Sequence, residues 1–134
     1  MIVIKKAISK KEIKQFVIFP FTLYKDSKYW VPPIISEEIK VFNKHTNPVL
    51  QNADAHLFLA YKDGKIVGRV AAIINWLEVG NSSSNKIRFG WMDMIDDVEV
   101  TKALLDKVKS IGKAHHLSYM EGPIGFSNLD KVGV

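Results

Sequence analysis

The chain of 134 residues contains no cysteine. That absence rules out disulfide bridges, thiolate nucleophiles and thiolate metal ligands, and it fits a reducing compartment as well as others; with no membrane span or secretory signal in the sequence, a cytoplasmic location is expected. Arginine is almost missing as well. Only Arg69 and Arg88 offer the planar guanidinium that phosphate and base recognition favours. The net charge of +5 is therefore read as a solvated lysine face, and no nucleic-acid partner is expected. No apolar run approaches the roughly 20 residues of a membrane span, and the opening "MIVIKKAISKK" lacks the apolar stretch of a secretory signal. His45 and His56 are isolated, while the adjacent His115 and His116 would leave a helix in different directions. No metal site is expected.

What is present is ordinary for a globular protein, with 47% hydrophobic and 25% charged residues. A domain of this length buries roughly two thirds of its unfolded surface, and a single domain over residues 1–134 is expected. Charge is unevenly placed. Residues 1–30 hold Lys5, Lys6, Lys10, Lys11, Lys14, Lys25 and Lys28 against Glu12 and Asp26, which accounts for the whole of the +5. A basic first helix and an acidic surface near Asp93, Asp96, Asp97 and Glu99 are expected, and the two would let one protomer attract another.

"MIVIKKAI" suits a short strand, and Ser9 with Glu12 forms a capping box for a helix from Lys10. Ile13, Phe16, Val17 and Phe21 fall on one face of it, and Pro20 should end or kink it near Phe19. "YWVPP" forces extended backbone, and Ser36 is placed to cap a short helix through about Asn43. From Ala55 the period becomes two. Strands from about Ala55 to Lys62 and from Lys65 to about Ile74 meet at Asp63-Gly64, the pair that supplies positive φ in a tight hairpin. After the polar "EVGNSSSNK" come a strand from Ile87 to Ile95, a helix from about Val98 to His115 and a last strand in "LSYMEG". The final strand, helix and strand should make a parallel crossover in an otherwise antiparallel sheet, with a ligand at the carboxyl ends of its strands.

The junction "IDDVEV" inside that crossover is acidic and has no glycine. The N-terminus of a helix that follows a strand is a natural anion site. Here Asp97 is a natural N-cap, and Asp96 and Glu99 complement the dipole, so these acids read as an internal substitute for a phosphate.

The element order, with "FPFTLYKDSKYWVPP" (19–33), "NPVLQNADAHLFLAYKDGKIVGRVAAIIN" (47–75), "RFGWMDMIDD" (88–97) and "GPIGFSNLDKVG" (122–133), resembles a bacterial branch of the GNAT superfamily of N-acetyltransferases. The resemblance implies an α+β fold: a mixed, mostly antiparallel sheet flanked by helices, here without the fold's C-terminal helix and strands. It further implies that residues 1–134 are the N-terminal part of a longer fold. Ser127 and Asp130 would begin the missing helix, and the bare last strand would invite self-association.

The resemblance also implies a gap between the fourth and fifth strands for the pantetheine arm of acetyl-CoA or another acyl-CoA, with Met94, Ile95, Asp97 and Val98 at the cofactor. The family's glycine-rich diphosphate loop has no counterpart in "DDVEVTKA". Acyl transfer to a small-molecule or peptide amine needs a base and a proton donor. Glu121, at the end of the last strand, is the first candidate base, and Asp93 the second. Tyr119 is the available acid, with packing as its bland alternative. Tyr24 and Trp30 would line the acceptor side. The alternative is a GNAT-like binding or interface module that has lost coenzyme A.

Overall fold

The computed structural model describes residues 1–77, 79 and 85–123. The pattern expected at Ser127 and Asp130 and most of the polar excursion after Leu77 lie outside these residues. The elements run β1 (Ile2–Lys6), α1 (Lys10–Leu23), α2 (Ile35–Val41), a 3-10 turn (Pro48–Gln51), β2 (Ala53–Lys62), β3 (Lys65–Asn75), β4 (Lys86–Met94), α3 (Val98–Ala114) and β5 (Tyr119–Glu121). The strands form one sheet in the order β1-β2-β3-β4-β5, antiparallel throughout except for the β4–β5 pair. This is the predicted crossover, and the predicted hairpin stands with Asp63 and Gly64 at φ 53° and 77°.

Helices cover both faces of the sheet. Phe16 and Val17 of α1, with Ile35 and Ile39 of α2, pack on Leu57, Leu59, Ala71, Ile73 and Trp91. On the opposite face Val100, Leu104 and Val108 of α3 pack on Phe58, Val70, Ala72, Ile74, Ile87 and Met92. Every position of β3 from Val67 to Ile74 is buried, as a strand covered on both sides requires. Gly68 is the close-approach point of α3. A Cβ there would sit 3.0 Å from Leu104 Cδ1 and from Val100 Cγ1.

The Ser9–Glu12 capping box forms as expected, but α1 does not stop at Pro20. It continues to Leu23 with Pro20 inside. A proline cannot donate to the carbonyl four residues back, and the carbonyl of Phe16 instead accepts from Arg69 Nη1 at 2.9 Å. The interruption is thus satisfied from the neighbouring strand. Ser36 is a second correction: α2 begins at Ile35, with Ile34 as N-cap and no side-chain cap.

Strand β4 carries a bulge. Gly90 faces Ala71 and Asp93 faces Arg69, so the single residue Val70 opposes Trp91 and Met92. Trp91 has φ 46°. The inserted residue breaks the alternation: Phe89, Met92 and Met94 face α3, whereas Trp91 joins the core under α1 and α2. There its ring meets Phe42 at 5.1 Å, and its Nε1 donates to Glu38 Oε2 at 3.0 Å, which ties α2 to the strand.

Candidate functional site

The opening between β4 and β5 is the feature on which a site can be built. The strands pair only at Lys86 with Tyr119, Ile87 with Met120 and Arg88 with Glu121. Beyond that point β4 continues to Met94, while β5 ends at Glu121. Gly122 marks the parting: a Cβ there would fall inside contact distance of the Phe89 carbonyl oxygen and 2.8 Å from its ring carbons. The Ile95 amide donates to Val67 at 3.0 Å. Alternation along the strand therefore turns the backbone of Met94 toward the open side, away from β3.

Glu121 stands at the mouth of this opening. Its Oε1 lies 3.1 Å from Lys86 Nζ and 3.6 Å from Arg88 Nη1. Both cations are buried, Arg88 to 1% exposure, while the Glu121 side chain keeps 41%. A carboxylate open to solvent on one side and held by two buried cations on the other has a fixed position and a reachable face. Tyr119 lies at the start of β5 opposite Lys86, two residues before Glu121 on the same face of the strand, and it borders a cavity of about 310 Å³ that Ile87, Gly112, Leu117 and Met120 also line.

Asp93 is buried in a network of its own. Its Oδ2 accepts from Arg69 Nε at 2.9 Å and Nη2 at 2.8 Å, and its Oδ1 accepts from the Tyr24 hydroxyl at 2.8 Å. The carboxylate thus joins β3, β4 and the end of α1. Burial draws the Arg69 guanidinium below its ordinary value, and Asp93 acts against that shift. Burial first, and then the hydrogen bond to Asp93, push the Tyr24 phenol up to about 12. Tyr24 therefore keeps its proton and donates it. Trp30 packs on Phe21 at 5.1 Å and on Tyr24 at 5.5 Å, so Tyr24 and Trp30 form one aromatic rim near the end of β4.

The network revises the expected acidic surface, because Asp93 is 7% exposed and neutralised by Arg69. Asp97 is paired too. As N-cap of α3 it accepts from the Glu99 amide at 2.9 Å through Oδ1, while Lys62 Nζ donates to Oδ2 at 3.1 Å. The amides of Val100 and Thr101 turn to the Asp97 carbonyl at 3.1 and 3.2 Å. The hydrogen bond from Lys62, and then that from the Glu99 amide, hold the Asp97 carboxyl below its usual range. Val98, next along, is 82% exposed.

The junction answers the question its acids raise. The Asp97 carboxylate and its Lys62 counter-ion occupy the head of α3, where the resemblance leads one to expect a diphosphate, and no glycine there lets the backbone close around an anion. β4 thus has an open side beyond Arg88, and the junction that follows it offers no glycine cradle for a diphosphate. Among the described residues, no three His, Asp or Glu side chains gather to hold a metal ion, and no helix is long and apolar enough to cross a membrane.

Arg88, Lys86 and Glu38 carry no local mark in the sequence of the partners they meet in these networks. A signal existed for Arg69, a lone charge in the apolar run "IVGRVAAII". Read with a mid-helix proline, such a cation points to a carbonyl in need of a donor.

No family model matches the chain. It is 30% identical over 134 residues to Protein YghO of Escherichia coli (strain K12), covering 98% of this chain and 33% of that protein. It is 28% identical over 124 residues to a Bacterial ceramide synthase of Caulobacter vibrioides (strain NA1000 / CB15N), covering 92% and 32%. The chain spans about a third of the length of these curated relatives. Among solved structures, it matches a predicted acetyltransferase with acetyl-CoA from Clostridium acetobutylicum at a TM-score of 0.63, with 16% identity over 98% of this chain and 84% of that one. A tandem GNAT protein from the clavulanic acid biosynthesis pathway matches at 0.62, with 10% identity over 86% and 34%. With the sheet order, the single parallel pair and the helices on both faces, these likenesses show that the chain has the acyl-CoA N-acyltransferase fold of the GNAT superfamily.

Proposed function

We propose that the chain forms the donor side of an N-acyltransferase that moves an acyl group from coenzyme A to a primary amine. The observation that carries this reading is the parting of β4 from β5 after Arg88 and Glu121, which leaves the far half of β4 with an open side. Coenzyme A, when bound, supplies the acyl thioester. In this reading the backbone around Met94 and Ile95 flanks the donor. Glu121 takes the proton that the amine loses on becoming an amide, and the reach of Lys86 and Arg88 fixes its carboxylate. Tyr24 and Trp30 shape the acceptor side. Asp93 holds Tyr24 and Arg69 in place instead of meeting the substrate, because both its oxygens already accept hydrogen bonds.

The likeness to a bacterial ceramide synthase, over 92% of this chain, supports a long-chain amino alcohol as the acceptor class. The test is thiol release from acyl-CoA in the presence of a long-chain amino alcohol, a polyamine and an aminoglycoside. Release with the first, and its loss in Glu121→Gln, is expected. Equal rates for the two proteins would remove Glu121 from the reaction.

One observation favours a second reading, a GNAT-fold module without coenzyme A: the Asp97–Lys62 pair at the head of α3. Calorimetry separates the two. Absence of any heat on titrating coenzyme A into the protein, together with no thiol release, selects the module.

A further inference from the structure

The connector of residues 25–34 between α1 and α2 turns large apolar side chains outward. Tyr29 is 84% exposed, Val31 85% and Ile34 68%. Trp30 beside them is half-buried on Phe21 and Tyr24, which anchors the connector to α1. Pro32 and Pro33 hold the backbone extended, so Val31 and Ile34 project from a stiff rib that cannot fold them inward. Single exposed apolar residues need no explanation. These come close together in sequence and are flanked by Lys25 and Lys28, with Asp26 as the one acid of the segment. Lys28 Nζ lies 5.5 Å from the centre of the Tyr29 ring. Aromatic and branched apolar side chains beside lysines, on a protein whose net charge is +5, complement the headgroup layer of an anionic bilayer.

The position of the segment adds to this. Through Trp30 and Tyr24, whose hydroxyl sits on Asp93 near the end of β4, the connector borders the open side of β4. We infer that residues 25–34 seat the protein on an anionic lipid surface. Tyr29, Val31 and Ile34 enter the boundary between headgroups and acyl chains, and Lys25 and Lys28 meet lipid phosphates. The inference stands apart from acyl transfer, since a binding module could sit on lipid in the same way.

Sedimentation with vesicles tests it, using phosphatidylcholine alone and an equal mixture of phosphatidylcholine and phosphatidylglycerol. At about 1 kcal/mol for each of Lys25 and Lys28 near such a surface, roughly thirtyfold stronger binding to the mixed vesicles is expected, falling as salt is raised. Val31→Asp with Ile34→Asp should remove most of the binding, and Lys25→Glu with Lys28→Glu should remove the preference for the anionic lipid. All four positions are exposed, so circular dichroism should report an unchanged fold. Equal binding to both vesicle types overturns the inference, as does binding that survives the Val31 and Ile34 changes. So does a failure to sediment with either vesicle type; elution as a dimer that Val31→Asp returns to monomer would then give this face to a second copy of the chain.

Discussion

Arg69 donates from Nη1 to the carbonyl of Phe16, the acceptor that Pro20 leaves without a helical partner. A proline inside a helix costs about 3 kcal/mol, and a hydrogen bond from a charged donor returns about 1.5–3 kcal/mol. α1 can therefore run through Pro20 only where β3 presents Arg69. With Pro20→Ala the helix regains its own donor. The loss of stability caused by Arg69→Met should then be smaller by about 1 kcal/mol than in the parent, read from a double-mutant cycle in urea. Strict additivity would mean that the two residues are not coupled.

Removing one member of the buried pair is a harsher change than removing both. Asp93→Asn leaves the Arg69 guanidinium in a buried site with a neutral partner, and about 3–5 kcal/mol of destabilisation is expected. Asp93→Leu with Arg69→Met should cost clearly less than the sum of the single changes. Chemical denaturation of the single variants and the double variant checks this.

Asp97→Asn keeps an N-cap but gives up the charge that faces Lys62. Together with Asp96→Asn it removes two carboxylates from the head of α3. The unmodified protein should bind coenzyme A more weakly than low-micromolar. The double variant should bind more tightly, because two like charges no longer face the incoming phosphates. Titration calorimetry on both proteins decides the matter, and tight binding by the parent would sink this reading of the junction.

His56 couples the fold to acid. Lys6 Nζ lies 2.9 Å from its Nδ1, which must accept, so the ring proton sits on Nε2, buried and without a hydrogen-bond partner among the described residues. Burial, and then Lys6, lower the His56 value; His115 adds to the effect and Asp54 opposes it. The native state thus takes up a second ring proton, at Nδ1, less readily than the unfolded chain. The stability His56 contributes is complete above its ordinary value of about 6.5 and declines as pH falls through the lower native value. His56→Gln should flatten the fall in melting temperature below neutral pH, and an unchanged slope would remove His56 as its source.

Much of the architecture was legible because its signals are local. The capping box at Ser9 and Glu12, the Asp63-Gly64 turn and the period change at α3 each depend on a few neighbouring residues, and each is where it was expected. The misses are contacts between residues far apart in sequence. Pro20 read alone ends a helix, and only Arg69, 53 residues from the Phe16 carbonyl it satisfies, lets the helix pass through it. Ser36 has the right chemistry for a cap but lies inside the first turn of α2. The bulge at Trp91 left no mark in "RFGWMDM" beyond a glycine before a tryptophan, so the burial of Asp93 could not be foreseen. Glu121 was legible as a strand end, whereas the two cations that fix it were not.

The side-chain order of β4 also works as a ratchet on its alignment. Lys86 and Arg88 point toward the α1 side, where Glu121 receives them, while Ile87 and Phe89 point under α3. A slip of one residue along β3 would carry both cations beneath the apolar side chains of Val100, Leu104 and Val108, away from Glu121, and would turn Ile87 out to face Glu121. Misaligned pairings are thus penalised by charge as well as by lost packing. The strand that borders the proposed site can settle in one register only.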